Sequence, residues 1–255
     1  MELASSTVLV TGGASGIGLA LAERFLRAGS RVIVCGRREE KLREVKERHP
    51  EFLTRVCDVG EASERVALYE WAAGEFPTLN VLVNNAGIQR RVRLDSGEEW
   101  EQTRREIEIN FEAPVHLTTL FVPHLLRQRD AAVVNVTSGL AFSPLANVPV
   151  YCATKAALRS FTLSLRHQLK GTSVKVVEVI PPAVDTDLGG PGLHTFGVPL
   201  GEFADSAFAR LERGELEIPY GMAEAASRAS REELDAVFAR MNPPDSAFDP
   251  RRFDK

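Results

Sequence analysis

Cysteine is scarce: Cys35, Cys57 and Cys152 are the three in 255 residues, too few and too scattered for a disulfide framework or a zinc site. Each reads most simply as a small buried hydrophobe. Cys152 adjoins Tyr151, which leaves a redox role as the remote alternative. No metal site is expected. Long apolar runs are also missing, and none approaches the ~18 residues of a membrane span. The opening Met1-Glu2-Leu3-Ala4-Ser5-Ser6 lacks the basic lead and apolar stretch of a signal peptide. A cytoplasmic protein with no membrane partner is the expectation. Basic excess is absent as well. The net charge of -4 argues against a nucleic-acid partner. No repeat and no dividing linker interrupts residues 1–255, so one domain is expected. A hydrophobic fraction of 44% beside 26% charged residues is enough for one sizeable core.

What is present begins with Thr7-Val8-Leu9-Val10-Thr11, a buried strand. It breaks at Gly12-Gly13-Ala14-Ser15-Gly16-Ile17-Gly18 and enters an amphipathic helix from Leu19 to Arg27. Strand, glycine turn and helix start together make an anion site: glycines admit a phosphate to the backbone, and free N–H groups and the helix dipole face its charge. The Gly-Lys-Ser/Thr ending of an ATP-binding loop is absent, so a dinucleotide is the expected ligand. Arg31 to Cys35 supplies a second strand, ending in Gly36-Arg37-Arg38. A carboxylate there would hold ribose hydroxyls; two cations suit a 2′-phosphate. Cations at a helix start oppose its dipole, so they need a reason. NADP(H) is preferred over NAD(H).

Further strands follow at Phe52–Cys57, Val81–Val83, Val133–Thr137 and Val174–Ile180, alternating with helices. Asp58, next to Val59, is a helix cap, an adenine contact, or both. Asn84-Asn85-Ala86-Gly87 closes the fourth strand with small and amide residues suited to a close-lying ligand. A long helix is predicted from about Gly97 to Arg129, bent or broken at Pro114 and Pro123. Asn110 inside it is a poor helix former, and a buried amide at a kink accounts for it without chemistry. A Gly, Pro and Leu-rich segment at about 187–200 reads as a substrate lid. Leu216–Tyr220 is predicted as an edge strand, Arg231–Met241 as a helix, and about 242–255 as a polar tail.

The central stretch runs from Val133 to Leu169. Ser138 ends its strand, and Tyr151 and Lys155 lie one turn apart on the following helix. A phenol titrates near ~10, and a neighbouring ammonium favours its ionised form, so Lys155 is expected to draw Tyr151 towards neutrality. A phenol so tuned exchanges protons at working pH. Taken alone, Tyr-x-x-x-Lys is more simply a surface pair, since the pattern recurs by chance.

Together these motifs resemble the short-chain dehydrogenase/reductase family along nearly the whole chain. Thr11-Gly12-x-x-x-Gly16-Ile17-Gly18, Asp58-Val59, Asn84 to Gly87, Asn110, Ser138 and Tyr151-x-x-x-Lys155 fall in that family's order. The resemblance implies an α/β fold: a single Rossmann-type, doubly wound parallel sheet of about seven strands with helices on both faces. It also implies roles. Tyr151 would be the general acid/base, Lys155 its partner and a ribose contact, Ser138 the holder of the substrate oxygen, and Asn110 the anchor of a water in a proton relay. Gly12, Gly16, Ile17 and Gly18 would line the pyrophosphate, Arg37 would meet the 2′-phosphate with Arg38 as a further candidate for that contact, and Thr186 with Val184 would meet the carboxamide. Ser15, Asp58, Val59, Asn85, Ala86, Gly87 and Pro181 complete the expected cofactor-binding set.

The implied activity is an NADP(H)-dependent interconversion of a carbonyl and a secondary alcohol, with a homodimer or homotetramer as the assembly. A silent nucleotide-sensing regulator and a sugar-nucleotide epimerase or dehydratase are the alternatives. Pro181-Pro182 departs from the family's usual Pro-Gly. Glu217 to Gly221 and Phe238 to Asn242 look similar to a bacterial branch named for an oxidoreductase encoded beside the teichoic-acid D-alanylation genes. Leu140, Ala141, Phe142, Leu145, Leu193 and Phe196 point to a partly apolar substrate pocket. Arg90, Arg91 and Arg93 form either an anion-attracting group or a solvated loop.

Overall fold

Runs of valine, isoleucine and leucine without polar alternation make strands that are covered on both faces. In the computed structural model, which describes residues 3–93, 97 and 100–243, they form β1 (Thr7–Thr11), β2 (Arg31–Gly36), β3 (Leu53–Val56), β4 (Leu79–Asn84), β5 (Ala131–Val136), β6 (Val174–Ile180) and β7 (Glu217–Pro219). The sheet runs β3-β2-β1-β4-β5-β6-β7, and every neighbouring pair is parallel. Between the strands lie α1 (Gly16–Arg27), α2 (Glu39–Arg48), α3 (Ala62–Glu75), α4 (Trp100–Ile107), α5 (Ala113–Leu125), α6 (Pro149–Gln168), α7 (Leu200–Glu212), α8 (Met222–Arg228) and α9 (Arg231–Met241).

The period-2 pleat sends alternate residues of each strand into different layers. Val8 and Val10 join Phe25, Phe203 and Phe208 on one face, where Phe25 and Phe208 meet edge to face at 5.2 Å. Leu9 joins Leu117, Phe121 and Leu125 on the other. Strand order reverses at β1, which lies between β2 and β4, and the crevice at such a point is where open α/β sheets bind ligands.

The long predicted helix is three pieces in line. α4 passes into one π turn, Glu108–Glu112, and then α5. Pro114 causes no break, because it occupies the first turn of α5, where its missing N–H is not needed. Pro123 sits inside α5 near its end without stopping it. The predicted start near Gly97 and the polar tail beyond 243 fall largely outside the described residues. α8 was not expected from its Ala/Ser-rich sequence. Its short length and its glycine N-cap, Gly221 at φ 55, give it little periodic signal. The segment between Val184 and Leu200 is a series of turns tied at its base by a bridge from Val184 to Val198. Among the described residues, no helix is long and apolar enough to cross a membrane.

Candidate active site

The glycine turn fits against the end of β4 with no room to spare. A Cβ on Gly12 would lie 2.9 Å from the Ala86 Cα, and one on Gly18 would lie 2.3 Å from Asn85 Nδ2. Gly12 and Gly16 also take φ of 64° and 52°, which glycine alone adopts readily. Thr11 is the hub. Its hydroxyl accepts from the N–H groups of Asn85 and Ala86 at 3.0 and 3.1 Å, and Asn85 Nδ2 donates to Thr11 O at 3.0 Å. Ser15 begins α1, and Arg38 reaches across to its hydroxyl at 3.0 Å. A Cβ on Gly16 would stand 3.6 Å from the Thr186 methyl, so the segment after β6 faces the same turn. That turn, with Ile17 partly buried behind it, presents bare backbone at Gly12, Gly16 and Gly18.

Arg37 and Arg38 are exposed at the end of β2, and Arg37 has no ion-pair or hydrogen-bond partner among the described residues. Asp58 is not the cap of α3; that position is Glu61. Its carboxylate instead accepts from Gly60 N–H at 3.0 Å and pairs with Arg105 at 2.5 Å. Val59 beside it is buried.

At the ends of β4 and β5 the polar candidates converge. Asn84 and Asn135 are register partners, and Asn84 Nδ2 donates to Asn135 Oδ1 at 2.9 Å. Asn135 Nδ2 donates to Thr162 at 2.8 Å, which fixes the height of α6 against the sheet. Asn84 belongs to the amide-bearing close of the fourth strand noted in the sequence; its partner Asn135, a polar residue inside an apolar strand, was not singled out there. Asn110 lies in the π turn, fully buried. Its Oδ1 accepts from Ile88 N at 2.8 Å, and its Nδ2 donates to Ile88 O at 2.8 Å and to Thr154 at 3.3 Å. A Cβ on Gly87 would sit 3.4 Å from Asn110 Oδ1 and 3.8 Å from Lys155 Nζ. The amide and the ammonium thus both approach the loop at Gly87.

Ser138 is buried and starts a short 3₁₀ turn, accepting from Leu140 N at 3.1 Å. Backbone bonds from Thr137 N to Val179 O and from Gly139 N to Pro181 O, each 2.9 Å, brace it on both sides. Tyr151 is buried against it. Burial pushes the phenol above its ordinary range, and the Ser138 hydroxyl works against that rise. Lys155 is also buried, and desolvation lowers its ammonium to about 8. Lys155 therefore does not draw the phenol down in this arrangement. Burial of both groups outweighs their proximity. Cys152 is buried, its thiol pushed up to about 11 mainly by desolvation, and it accepts from Leu145 N at 3.3 Å.

Leu140, Leu145 and Leu188 pack around Val148, Tyr151 and Cys152. Phe196, by contrast, is 77% exposed and Leu193 is exposed too, so the apolar wall from this segment is Leu188. The Arg90 N–H donates to Glu106, a buried carboxylate on α4 whose charge adds to the upward push on Tyr151.

A glycine turn at a sheet's reversal point, with polar groups gathered at the strand ends beside it, defines the doubly wound, Rossmann-type class. The sequence model of the short chain dehydrogenase family matches residues 6–193. The chain belongs to the short-chain dehydrogenase/reductase family and is an oxidoreductase of that type. It is 51% identical over 248 residues to the uncharacterized oxidoreductase DltE of Bacillus subtilis (strain 168), covering 95% of this chain and 98% of that protein. It is 34% identical over 183 residues to the NADP-dependent 3-hydroxy acid dehydrogenase YdfG of Escherichia coli (strain K12), covering 69% and 72%. A short chain dehydrogenase from Burkholderia cenocepacia J2315, solved in complex with NADP, superimposes with a TM-score of 0.83 at 28% identity over 96% of this chain and 100% of that one.

Proposed function

We propose that this protein is a cytoplasmic, NADP(H)-dependent oxidoreductase that interconverts a carbonyl and a secondary alcohol on a small molecule. The observation that carries the reading is the meeting of Ser138, Tyr151, Lys155 and Asn110 beside the backbone cradle of Gly12, Gly16 and Gly18. The cradle fits a pyrophosphate, since a glycine turn leading into the start of α1 presents bare backbone and free N–H groups. Arg37 and Arg38, with no acidic residue at the end of β2, fit a 2′-phosphate. Names of relatives point the same way: YdfG is NADP-dependent, and the Burkholderia cenocepacia structure holds NADP.

The nicotinamide, when bound, supplies or accepts the hydride. The chain's own part is the proton. Tyr151, held protonated by burial, donates to the carbonyl oxygen in reduction and takes the proton back in oxidation. Ser138 holds that oxygen. Lys155, fixed by Val136 O, keeps a cation beside the phenol, and Asn110 anchors the route by which Lys155 is reprotonated. The segment at 187–200 serves as a lid, with Leu188 closing on an apolar pocket floored by Leu140 and Leu145.

The test is NADPH consumption against a panel of ketones and aldehydes, run beside a sugar-nucleotide panel. Turnover with carbonyl compounds is the expected result. Cofactor binding without turnover on both panels would favour a silent nucleotide-sensing regulator.

A further inference from the structure

The loop after β3 and the π turn that holds Asn110 are far apart in sequence, yet two arginines grip both. Arg105, from α4, pairs with Asp58 at 2.5 Å and Glu61 at 2.9 Å in the loop, and with Glu108 at 3.3 Å at the start of the π turn. Arg65, on α3 and 1% exposed, donates to Val59 O at 2.8 Å and Gly60 O at 3.3 Å. It also donates to His116 Nδ1 at 2.9 Å and pairs with Glu112 at 2.5 Å at the far end of the π turn. Arg104 adds a second hold on Glu108 at 2.9 Å.

We infer that Arg105 and Arg65 are positioning residues that transmit occupancy of the adenine end of the cofactor site to the turn presenting Asn110. The inference rests on the cofactor reading above, in which Asp58 and Val59 border the adenine. Three observations support it. First, a π turn is a less favourable ladder than an α-helix and persists where its surroundings hold it, and the groups holding this one at both ends also hold the loop 58–61. Second, the geometry is specific. A Cβ on Gly60 would stand 2.4 Å from the Arg105 Cζ, so the guanidinium lies against bare backbone and any shift of the loop must move it. Third, a buried guanidinium is costly unless its donors are used, and Arg65 spends Nη1 on the loop, Nη2 on the π turn and Nε on His116 in α5 just beyond it, with none on its own helix.

Asp58 commits one oxygen to Gly60 N–H and the other to Arg105. A donor arriving at that carboxylate alters Arg105's share of it, and Arg105 also holds Glu108. Asn110 is two residues further on, with both polar ends of its amide on Ile88. Coupling of this kind is reciprocal, so loosening Arg105 also weakens the hold on adenosine.

Amide hydrogen exchange of the whole protein, with and without 2′,5′-ADP or 5′-AMP, tests the linkage without needing the substrate. These probes carry the adenosine half alone. In the unaltered protein, saturating probe should slow exchange at 57–61 and also at 86–90 and 106–113. In Arg105→Ala the slowing at 57–61 should persist, while that at 106–113 falls by about fivefold or more. Glu108→Gln, which leaves the Asp58 pair intact, should give the same separation and stands in if Arg105→Ala fails to fold. Protection confined to 57–61 in the unaltered protein, or reaching 106–113 equally in both variants, overturns the linkage while leaving the cofactor reading intact. Absence of protection at 57–61 with both probes overturns the adenine assignment, and the linkage with it.

Discussion

Lys155 Nζ donates to the carbonyl of Val136 at 2.8 Å and stands 5.7 Å from the centre of the Tyr151 ring. The ammonium is thus anchored to the strand that leads into Ser138, and the phenol lies beside it without sharing that bond. Burial governs both groups, lifting Tyr151 and lowering Lys155 to about 8. Both are held apart from water and close to each other, as the proposed proton transfer requires. The protein itself therefore carries an unfavourable buried charge below the Lys155 pKa.

That charge has a measurable consequence. The folded Lys155 binds its proton less tightly than the unfolded one, so the unfolded state carries more protons between about 8 and 10.5, the ordinary value. Stability from this residue must rise with pH across that window, by roughly 3 kcal/mol in total. Below it the penalty is fully present. Denaturant unfolding of the unaltered protein and of Lys155→Met at several pH values isolates the effect. The difference between the two should grow in favour of the unaltered protein from pH 8 upward. A flat difference would mean that Lys155 is solvated in solution.

Tyr151→Phe removes the hydroxyl and keeps the ring among Val148, Cys152 and Leu140. Folding and NADPH affinity should survive, and reduction should fall by ~10²–10⁴-fold, the usual worth of general acid/base help. Turnover together with cofactor fluorescence separates the two effects. Near-normal turnover would falsify the assignment of Tyr151 as the acid.

Arg37 is exposed and has no hydrogen bond or ion pair among the described residues, so its removal should leave the melting temperature nearly unchanged. NADPH should bind more tightly than NADH, and Arg37→Ala should shrink that preference by roughly tenfold or more, as expected for a lost charge-assisted hydrogen bond. Arg38 is partly engaged with Ser15, so the double change should go further. Titrations with both cofactors decide it; equal affinities in the unaltered protein would show the arginines to be mere surface charge.

The fold was legible in the sequence because its strands are apolar throughout and its turns carry glycine. Periodicity placed β1, β2 and β6 almost to the residue, and Pro219 correctly marked an edge strand. The π turn was not legible. Asn110 disturbs helix propensity, but the insertion is held by Arg65 from a distant helix and by Arg105, which ties it to the distant loop at 58–61, and no local pattern announces such ties. The same holds for Asp58, whose position before a helix resembled a cap and whose actual partner is 47 residues away. The charge balance at Tyr151 and Lys155 was misjudged for a related reason. Spacing gives their proximity, while the dominant cause is burial, which depends on distant packing such as that of Leu188 around Tyr151.

Gly18 meets Asn85 Nδ2 and the Gly12 carbonyl where a side chain would stand, at 2.3 and 2.5 Å. Gly18→Ala must therefore push the helix start away from β4, costing about 1–3 kcal/mol of stability as overpacking does. NADPH affinity should fall with it, because the same N–H groups face the cradle. Gly36→Ala is the control, since nothing stands within 4 Å of a Cβ there. Thermal melts and cofactor titrations of the two variants should diverge; equal behaviour would show that the turn yields easily.

The last expectation concerns assembly, where the outward face of α6 differs from a simple count of apolar residues. Leu158 and Leu165 are buried in the protein's own core, and Phe161 and Leu169 pack against it. Outside, besides the exposed Leu163, lies a shallow hollow of about 360 Å³ lined by Ile107, Phe111, Pro149, Val150, Ala153, Thr154 and Ala157. Its walls are almost wholly apolar and its floor is made of small residues, which let two helices approach closely. A second copy placing the same face against it would give the two-fold contact expected of a homodimer, or of a tetramer built from such pairs. The hollow backs directly onto Tyr151 and Lys155 through α6, so pairing there would stiffen the helix that bears them. Light scattering at micromolar concentration should report a dimer or tetramer. Ala157→Arg, which sets a long cation in the hollow, should shift it to monomer while leaving the sheet folded by circular dichroism. A monomer from the unaltered chain, or an unchanged oligomer from Ala157→Arg, would place the contact elsewhere or dismiss it.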